Sequence, residues 1–207
     1  YYQETGRAGR DGLPANAWLA YGLGDVVTMS QMIANGDAPE ERKRLERKKL
    51  DALLGFCEST TCRHQSVLRY FGEDHPGDCK ACDNCLEPVD NWHATHAAQM
   101  ALSCAYRTGQ RFGAGNLCDV LIGKMTERVE KFNHHKLSTF AIGKEFSASQ
   151  WSSVYRQLVA SGLLESDSEA YGGLKLTEAA RPVLRGEQSV WLRRDADPLK
   201  LKAKRSE

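Results

Sequence analysis

The sequence lacks several features that would narrow its function at once. It contains no phosphate-binding loop of the form G-x-x-x-x-G-K-[ST], so these 207 residues predict no site that hydrolyses a nucleotide unaided. It has no signal peptide, and no apolar run is long enough for a membrane-spanning helix. The net charge is only +1, which provides no strong field toward nucleic acid or a membrane surface. We therefore expect a soluble cytoplasmic protein with no membrane partner.

Cysteine is the most informative residue that is present. Four of the seven cysteines follow the spacing C-x16-C-x2-C-x2-C, as Cys62, Cys79, Cys82 and Cys85. A Cys-x2-Cys turn presents two thiolates to one point, and tetrahedral Zn²⁺ takes four such donors. Because the four cysteines would fill all four coordination positions of the metal and leave none open for water, the spacing predicts a structural zinc site. An odd cysteine count without a signal peptide disfavours a disulfide framework, and a redox Cys-x2-Cys pair remains an alternative.

Charge is unevenly distributed along the chain. Residues 40–49 carry six basic and three acidic side chains, and residues 193–207 carry the same numbers. Residues 73–90, around the cysteines, carry six acidic and one basic side chain. Any one of these runs is most simply a solvated surface. Residues 191–207 are predicted to be a basic tail or linker.

Hydrophobic periodicity divides the first 90 residues into two units. Residues 1–36 contain a predicted strand at 17–21 and a helix that Asp25 caps, with Val26, Met29, Met32 and Ile33 on its apolar face. Residues 37–90 predict a zinc-binding module of two helices, over 39–57 and 62–71, and a cysteine-rich loop. The predicted inward residues of the two helices are Leu45, Leu50, Leu53 and Leu54, then Val67, Leu68 and Phe71. The three other cysteines, Cys57, Cys104 and Cys118, are predicted to be small core residues.

Residues 91–190 predict a winged helix, three helices followed by a two-stranded hairpin. Thr95 is expected to cap the first helix. Ser147-x-x-Gln150 is a capping box at the start of the third helix, where Phe146 can pack on Trp151. Strands at 163–166 and 174–176 form the predicted wing, and Thr177 is expected to cap a last helix. The fold class is therefore mainly α with a small amount of β.

The third helix of a winged helix is the usual reader of a DNA groove, so its polar face predicts DNA contacts. Hydroxyl, amide and cationic donors there suit phosphate oxygens. The predicted contact residues are Lys144, Ser149, Ser152, Ser153, Arg156 and Gln157. Tyr171, at the predicted wing tip, is either a DNA contact or an exposed turn residue. Winged helices also serve as protein-binding modules, and this alternative stays open.

The first twelve residues, YYQETGRAGRDG, place two arginines three residues apart among glycines. Arg7 and Arg10 could contact the γ-phosphate of a nucleotide held by another domain, because a guanidinium binds phosphate bidentately and stabilises the charge that develops during transfer. Taken alone, such Gly-Arg repeats are weak signals that also occur in RNA-binding tails and in turns.

The order of these features resembles the C-terminal region of the RecQ family of superfamily-2 DNA helicases. QETGRAGRDGLPA is similar to the last helicase motif, and LTEAARPVLRGE at 176–187 is similar to bacterial RecQ proteins. The resemblance makes residues 1–36 the end of a RecA-like α/β domain in a longer polypeptide. It makes Cys62, Cys79, Cys82 and Cys85 zinc ligands. It also makes Arg7 and Arg10 sensors of ATP, with Arg10 as the arginine finger and Gln3 beside them at the domain cleft.

The resemblance also implies activity and partners. The full-length enzyme is expected to use ATP and Mg²⁺ to move 3′-to-5′ on DNA in repair, recombination, replication and the SOS response, as a monomer in the bacterial cytoplasm and nucleoid. Duplex, forked and single-stranded DNA are the expected ligands, with single-strand-binding protein as a further partner. The alternatives are a zinc-stabilised winged-helix transcription regulator and an RNA helicase.

Overall fold

The protein is described here by a computed structural model covering residues 2–13, 15–87, 89–167 and 173–195. A short helix α1 (Tyr2–Thr5) leads into a turn, and helix α2 (Leu23–Asn35) ends before Gly36 as expected. Asp25 does not occupy the cap position. It lies in the first turn of α2, where its carboxylate accepts a 2.8 Å hydrogen bond from the Gly22 amide.

The strand predicted at 17–21 is wrong. Residues 15–22 carry no regular structure, and none of the strands in the described ranges pairs with them. Trp18, in the middle of the predicted strand, is 80% exposed. The short apolar run had the composition of a strand, but a strand also needs a hydrogen-bonding neighbour, and the described residues provide none.

The zinc-binding module consists of helix α3 (Glu40–Glu58), helix α4 (Arg63–Tyr70) and a short helix α5 (Asp83–Leu86). Its apolar stripe is less buried than predicted. Leu54 is buried and Leu50, Leu53, Val67 and Leu68 are half-buried, whereas Leu45 and Phe71 are 52% and 54% exposed. The eight-residue helix α4 cannot cover both ends of the apolar stripe on the longer α3, so the module needs another source of stability.

Among its described residues, the second domain contains five helices and the two strands of a hairpin. These are α6 (Thr95–Arg107), α7 (Ala114–Ile122), α8 (Glu127–Lys131), α9 (Ala148–Ala160), strands β2 (Leu164–Asp167) and β3 (Gly173–Leu176), and α10 (Ala180–Leu184). A 3₁₀ turn (His134–Lys136) follows α8. This order confirms the helical class with a winged helix, and α10 starts three residues after Thr177, which does not cap it.

The core of this domain lies where α6, α7 and α9 cross. Trp151, Tyr155 and Leu158 of α9 are fully buried, and so are Leu102 and Leu117 of the facing helices. The two polar aromatic atoms are satisfied, because Trp151 Nε1 donates to the Gly143 carbonyl (2.8 Å) and the Tyr155 hydroxyl donates to the Ala101 carbonyl (3.2 Å). The capping box and the packing of Phe146 on Trp151 (ring centres 5.2 Å apart) are confirmed.

The wing is the antiparallel pair β2–β3, with Leu164 opposite Leu176 and Ser166 opposite Leu174. Gly173 begins β3 against the backbone of Arg111, where an added Cβ would lie 2.7 Å from the Arg111 carbonyl carbon. That close approach requires glycine. The wing-tip residue Tyr171 lies outside the described residues.

A second sheet was missed. Strand β1 (Asn91–His93) pairs antiparallel with strand β4 (Trp191–Arg193), with Trp92 opposite Leu192. Residues 191–195 therefore belong to the winged-helix domain, and the predicted boundary of a free tail at 190 is too early. Thr95, the expected cap of α6, instead accepts a hydrogen bond from the Val190 amide (2.9 Å) and so anchors the start of β4. In the described ranges, no helix has the length and apolar character to cross a bilayer.

Candidate zinc centre and nucleic-acid interface

The four cysteines of the predicted site lie together. The Sγ atoms of Cys62, Cys79, Cys82 and Cys85 all lie within 4.8 Å of one another. Cys62 precedes α4 and Cys82 precedes α5, so the two helix starts hold two thiols, and the intervening turn brings in Cys79. Backbone amides point at the sulfurs, because Cys82 N donates to Cys79 Sγ (3.3 Å) and Arg63 N donates to Cys82 Sγ (3.4 Å).

The donor set fits a zinc ion. None of the four cysteines forms a disulfide, and four thiols in one tetrahedron-sized cluster match the four-cysteine class of structural zinc sites. Burial and the neighbouring thiols of Cys82 and Cys62 raise the pKa of Cys85 to about 12. Four thiolates at this spacing repel one another without a cation, and a divalent ion between them removes that repulsion.

Arg63 ties the cysteine loop to the helices. Its guanidinium pairs with Asp83 at 2.8 and 2.9 Å, and it also donates to the carbonyls of Phe56 and Cys57 at the end of α3. The same ion pair is the largest cause of a lowered pKa at Asp83. This one side chain therefore connects the end of α3, the start of α4 and the α5 turn. Cys57 itself is half-buried, whereas Cys104 and Cys118 are core residues as predicted.

A polar junction links the zinc-binding module to the winged helix, and it is centred on Glu58 at the end of α3. The Glu58 side chain is only 7% exposed, and its Oε1 accepts from Arg156 Nε of α9 at 2.6 Å. Arg193 Nε of β4 lies 2.9 Å from Oε2, an ion pair whose geometry falls short of a hydrogen bond. Tyr21, from the N-terminal segment, donates its hydroxyl to the same carboxylate.

Asp195 completes the Glu58 junction. It pairs with Arg156 Nη2 at 2.8 Å, so two carboxylates face two guanidiniums. Burial and Glu58 raise the pKa of Tyr21 far above its ordinary value, which keeps the phenol protonated as a donor. Three segments that are distant in sequence therefore meet at one buried carboxylate.

Part of the polar face that was predicted to be exposed on α9 is buried at the Glu58 junction. Ser153 and Gln157 were expected to face solvent, but they are 8% and 6% exposed. Gln157 exchanges hydrogen bonds with the backbone of Arg193, donating at 3.1 Å and accepting at 2.9 Å. Arg156 is half-buried and committed to Glu58 and Asp195. Strand β4 and the end of α3 cover this side of the helix, which the local sequence of α9 could not reveal.

The remaining predicted contacts lie at the start of α9 and are exposed. Lys144, Ser149 and Ser152 all reach solvent, and the Lys144 ammonium forms no ion pair within the described ranges. Ser147 caps the helix and its hydroxyl lies 2.9 Å from that of Ser149. The exposed hydroxyls at the start of α9 and the nearby Lys144 ammonium are donors of the kind that bind phosphate oxygens.

The N-terminal motif lies on an exposed turn. Gln3, Arg7 and Arg10 are exposed, and Arg7 pairs with Glu4 at 3.5 Å. Gly9 and Gly12 take positive φ angles of 69° and 78°, which explains the glycines in this turn. The motif therefore presents its two guanidiniums outward on one turn.

Sequence reasoning missed Glu58, Arg63, Arg193 and Asp195. A partial signal exists at Arg63, because it directly follows a predicted metal ligand. Glu58 gave no signal, since its partner Arg156 is 98 residues away.

Comparison with known proteins agrees with this arrangement. The RecQ zinc-binding family matches residues 23–86, and the RQC domain family matches residues 88–200. The proteins named ATP-dependent DNA helicase RecQ from Haemophilus influenzae and Pasteurella multocida are each 42% identical over 93% of this chain. The protein of the same name from Bacillus subtilis is 33% identical over 92% of the chain.

The chain spans 31%, 30% and 32% of the lengths of these three relatives. Both family matches fall on the units that the structure separates, with the cysteine cluster in the first and the winged helix in the second. The chain belongs to the RecQ family, of which it carries the zinc-binding module and the RQC domain.

Proposed function

We propose that this chain is the C-terminal part of a RecQ-type 3′-to-5′ DNA helicase, in which a structural zinc ion holds a DNA-binding winged helix against the motor. The observation that carries the proposal is the junction at Glu58. It connects the segment that follows the helicase motif, through Tyr21, with both the zinc-binding module and α9. A rigid link of this kind would transmit a movement of the motor to bound DNA.

The proposed DNA contact is the exposed start of α9. Lys144 and the hydroxyls of Ser149 and Ser152 would bind backbone phosphates of duplex or forked DNA without reading bases. Ser153, Arg156 and Gln157 hold the helix in place from its covered side. Contacts to phosphate alone give an affinity that falls steeply with salt and depends little on sequence.

The N-terminal arginines would act on a nucleotide bound elsewhere in the full-length enzyme. A partner domain would hold ATP together with Mg²⁺. Arg10, supported by Arg7 and Gln3, would reach the γ-phosphate of that ATP and stabilise the charge that develops during hydrolysis. The purified chain of 207 residues is then expected to bind DNA without hydrolysing ATP. DNA-stimulated ATP hydrolysis by this chain alone would contradict that division of labour.

The remaining proposals concern the cell and rest on the family. We place the full-length enzyme in the cytoplasm and nucleoid, acting as a monomer in repair, recombination and replication, with single-strand-binding protein as a partner. The resemblance to RecQ supports these roles.

The decisive experiment measures the affinity of the zinc-loaded chain for a forked duplex by fluorescence anisotropy, with Lys144→Gln and Ser149→Ala combined. We expect the double variant to lose roughly tenfold in affinity and about one unit of salt slope, because one cationic phosphate contact is removed. The matched control is Lys124→Gln, since Lys124 is an exposed lysine that pairs with Asp119 at 3.6 Å. Equal affinity of the double variant and the wild type would remove α9 as the DNA contact.

A further inference from the structure

A second group of cations, which the proposed interface does not use, surrounds two phenylalanines. We define the aromatic–cation patch as Arg111, Phe112, Arg128, Lys131 and Phe132. The Arg111 guanidinium lies 5.4 Å from both ring centres, and that of Arg128 lies 5.9 Å from Phe112. The Lys131 ammonium lies 6.0 Å from the Phe132 ring. All three cations are exposed, although Phe112 is buried.

The cations of the patch are not neutralised by protein. Across the described ranges, neither Arg111 nor Arg128 nor Lys131 forms an ion pair, whereas Arg181 and Arg185 of the same domain pair with Glu178 and Glu187. Glu127 and Glu130 lie on α8 beside them, but in the same ranges neither forms an ion pair. Rings fix guanidinium groups in position without cancelling their charge, which leaves the donors free for an outside anion.

The positive charge of the patch also acts on His134. This side chain packs edge-on against Phe112, with ring centres 4.6 Å apart, and hydrogen-bonds through Nδ1 with Asn116. Burial lowers the pKa of His134, and Arg111 lowers it further. His134 therefore packs against the ring of Phe112 as a neutral side chain and adds no further positive charge to the patch.

The patch lies beside strand β3 of the wing, at the end where Gly173 begins the strand. The Leu174 amide of β3 donates to the Phe112 carbonyl at 3.1 Å, and Gly173 touches the Arg111 backbone. Strand β3 thus holds Arg111 and Phe112 at a fixed place beside the hairpin. An extended polyanion that runs along the wing would meet Arg111 there.

From this geometry we propose that the aromatic–cation patch is a second contact for the DNA phosphate backbone, beside the start of β3 and separate from the start of α9. The proposal rests on the DNA binding proposed above. Exposed guanidiniums spread around two rings suit an extended backbone with successive phosphates better than a single captured ion.

The test compares Arg111→Gln/Arg128→Gln with the control Arg181→Gln/Arg185→Gln, which removes the same charge from arginines that already have partners. Forked-duplex affinity is measured from 50 to 200 mM salt. Because each lost phosphate contact lowers the slope of log K against log salt by roughly 0.9, the patch variant should lose about 2 units of slope and the control almost none.

Two further results separate the explanations. The variant Arg111→Lys/Arg128→Lys keeps both charges and should keep most of the slope of log K against log salt. If it loses as much slope as the glutamine pair does, the two arginines act through packing and the proposed phosphate contact is refuted. If the wild type binds with a steep slope and the glutamine pair leaves it unchanged, only the patch is refuted. If the wild type does not bind DNA, the proposed function itself fails.

Discussion

Replacing Glu58 with alanine should destabilise the protein far more than removing an ordinary surface carboxylate. Glu58 is 7% exposed, and its partners Arg156 and Arg193 are 18% and 25% exposed, so the ion pairs are largely shielded from water. Arg156 would retain Asp195 at 2.8 Å, and Arg193 would retain it only at 3.8 Å.

The size of the effect follows from those remaining partners. Removing one member of a fully buried ion pair costs about 3–5 kcal/mol when the other charge is left alone. Since Asp195 still compensates Arg156, we expect a loss of about 2–3 kcal/mol, with the Tyr21 hydrogen bond contributing to it.

The assay is urea unfolding of the zinc-loaded chain, followed by tryptophan fluorescence and analysed by linear extrapolation. The matched control is Glu178→Ala, because Glu178 also pairs with an arginine, at 3.2 Å, but is 83% exposed. We expect that control to cost less than about 0.5 kcal/mol. If both variants lose the same free energy of unfolding, the Glu58 junction does not hold the two units together.

Four further predictions concern the zinc site, the core and pH. Cys82→Ser should reduce zinc from one ion per chain to well below one, measured by elemental analysis, and Arg63→Ala should speed zinc loss to a chelator because the loop loses its tie to α3. Trp151→Ala should lower the free energy of unfolding by about 3–5 kcal/mol, measured by urea unfolding, because it empties a fully buried site. The pKa of His134 is lowered in the folded state, so as the pH falls the unfolded chain binds a proton at this residue before the folded chain does. The free energy of unfolding should therefore decrease as the pH drops below about 6.5. The variant His134→Gln should weaken that dependence, measured by thermal unfolding at several pH values.

The zinc and pH predictions each have a specific outcome that contradicts them. Unchanged zinc content in Cys82→Ser would exclude a four-cysteine site. For the pH effect, the exposed residue His96 provides the control variant His96→Gln. If that substitution alters the pH dependence as much as His134→Gln does, the burial of His134 is not the cause.

Local features of the fold were predictable from the sequence. The capping box at Ser147, the stop of α9 near Gly162 and the hairpin of the wing each depend on residues close together in the chain. The cysteine spacing located the metal cluster for the same reason, because a Cys-x2-Cys turn is a local geometry.

Features that depend on distant partners were not predictable. The strand expected at 17–21 has no neighbour in the described residues, and the pairing of β1 with β4 joins the two ends of the winged-helix domain. Gln157 reads as a solvent-facing residue within α9, yet β4 covers it. The helical period of α3 also placed Leu45 inward, although its side chain is 52% exposed.

We propose above that the winged helix, held by zinc, binds the phosphate backbone of DNA. The most direct measurement is the dissociation constant of the zinc-loaded chain for two forked DNA duplexes of unrelated sequence, and for an RNA duplex of the same length, between 50 and 200 mM salt. The account predicts nearly equal affinity for the two DNA forks, weaker binding to RNA, and a linear fall of log K with log salt. A preference of about a thousandfold for one DNA sequence would indicate a transcription regulator instead, and a preference for RNA or the absence of binding would contradict the account.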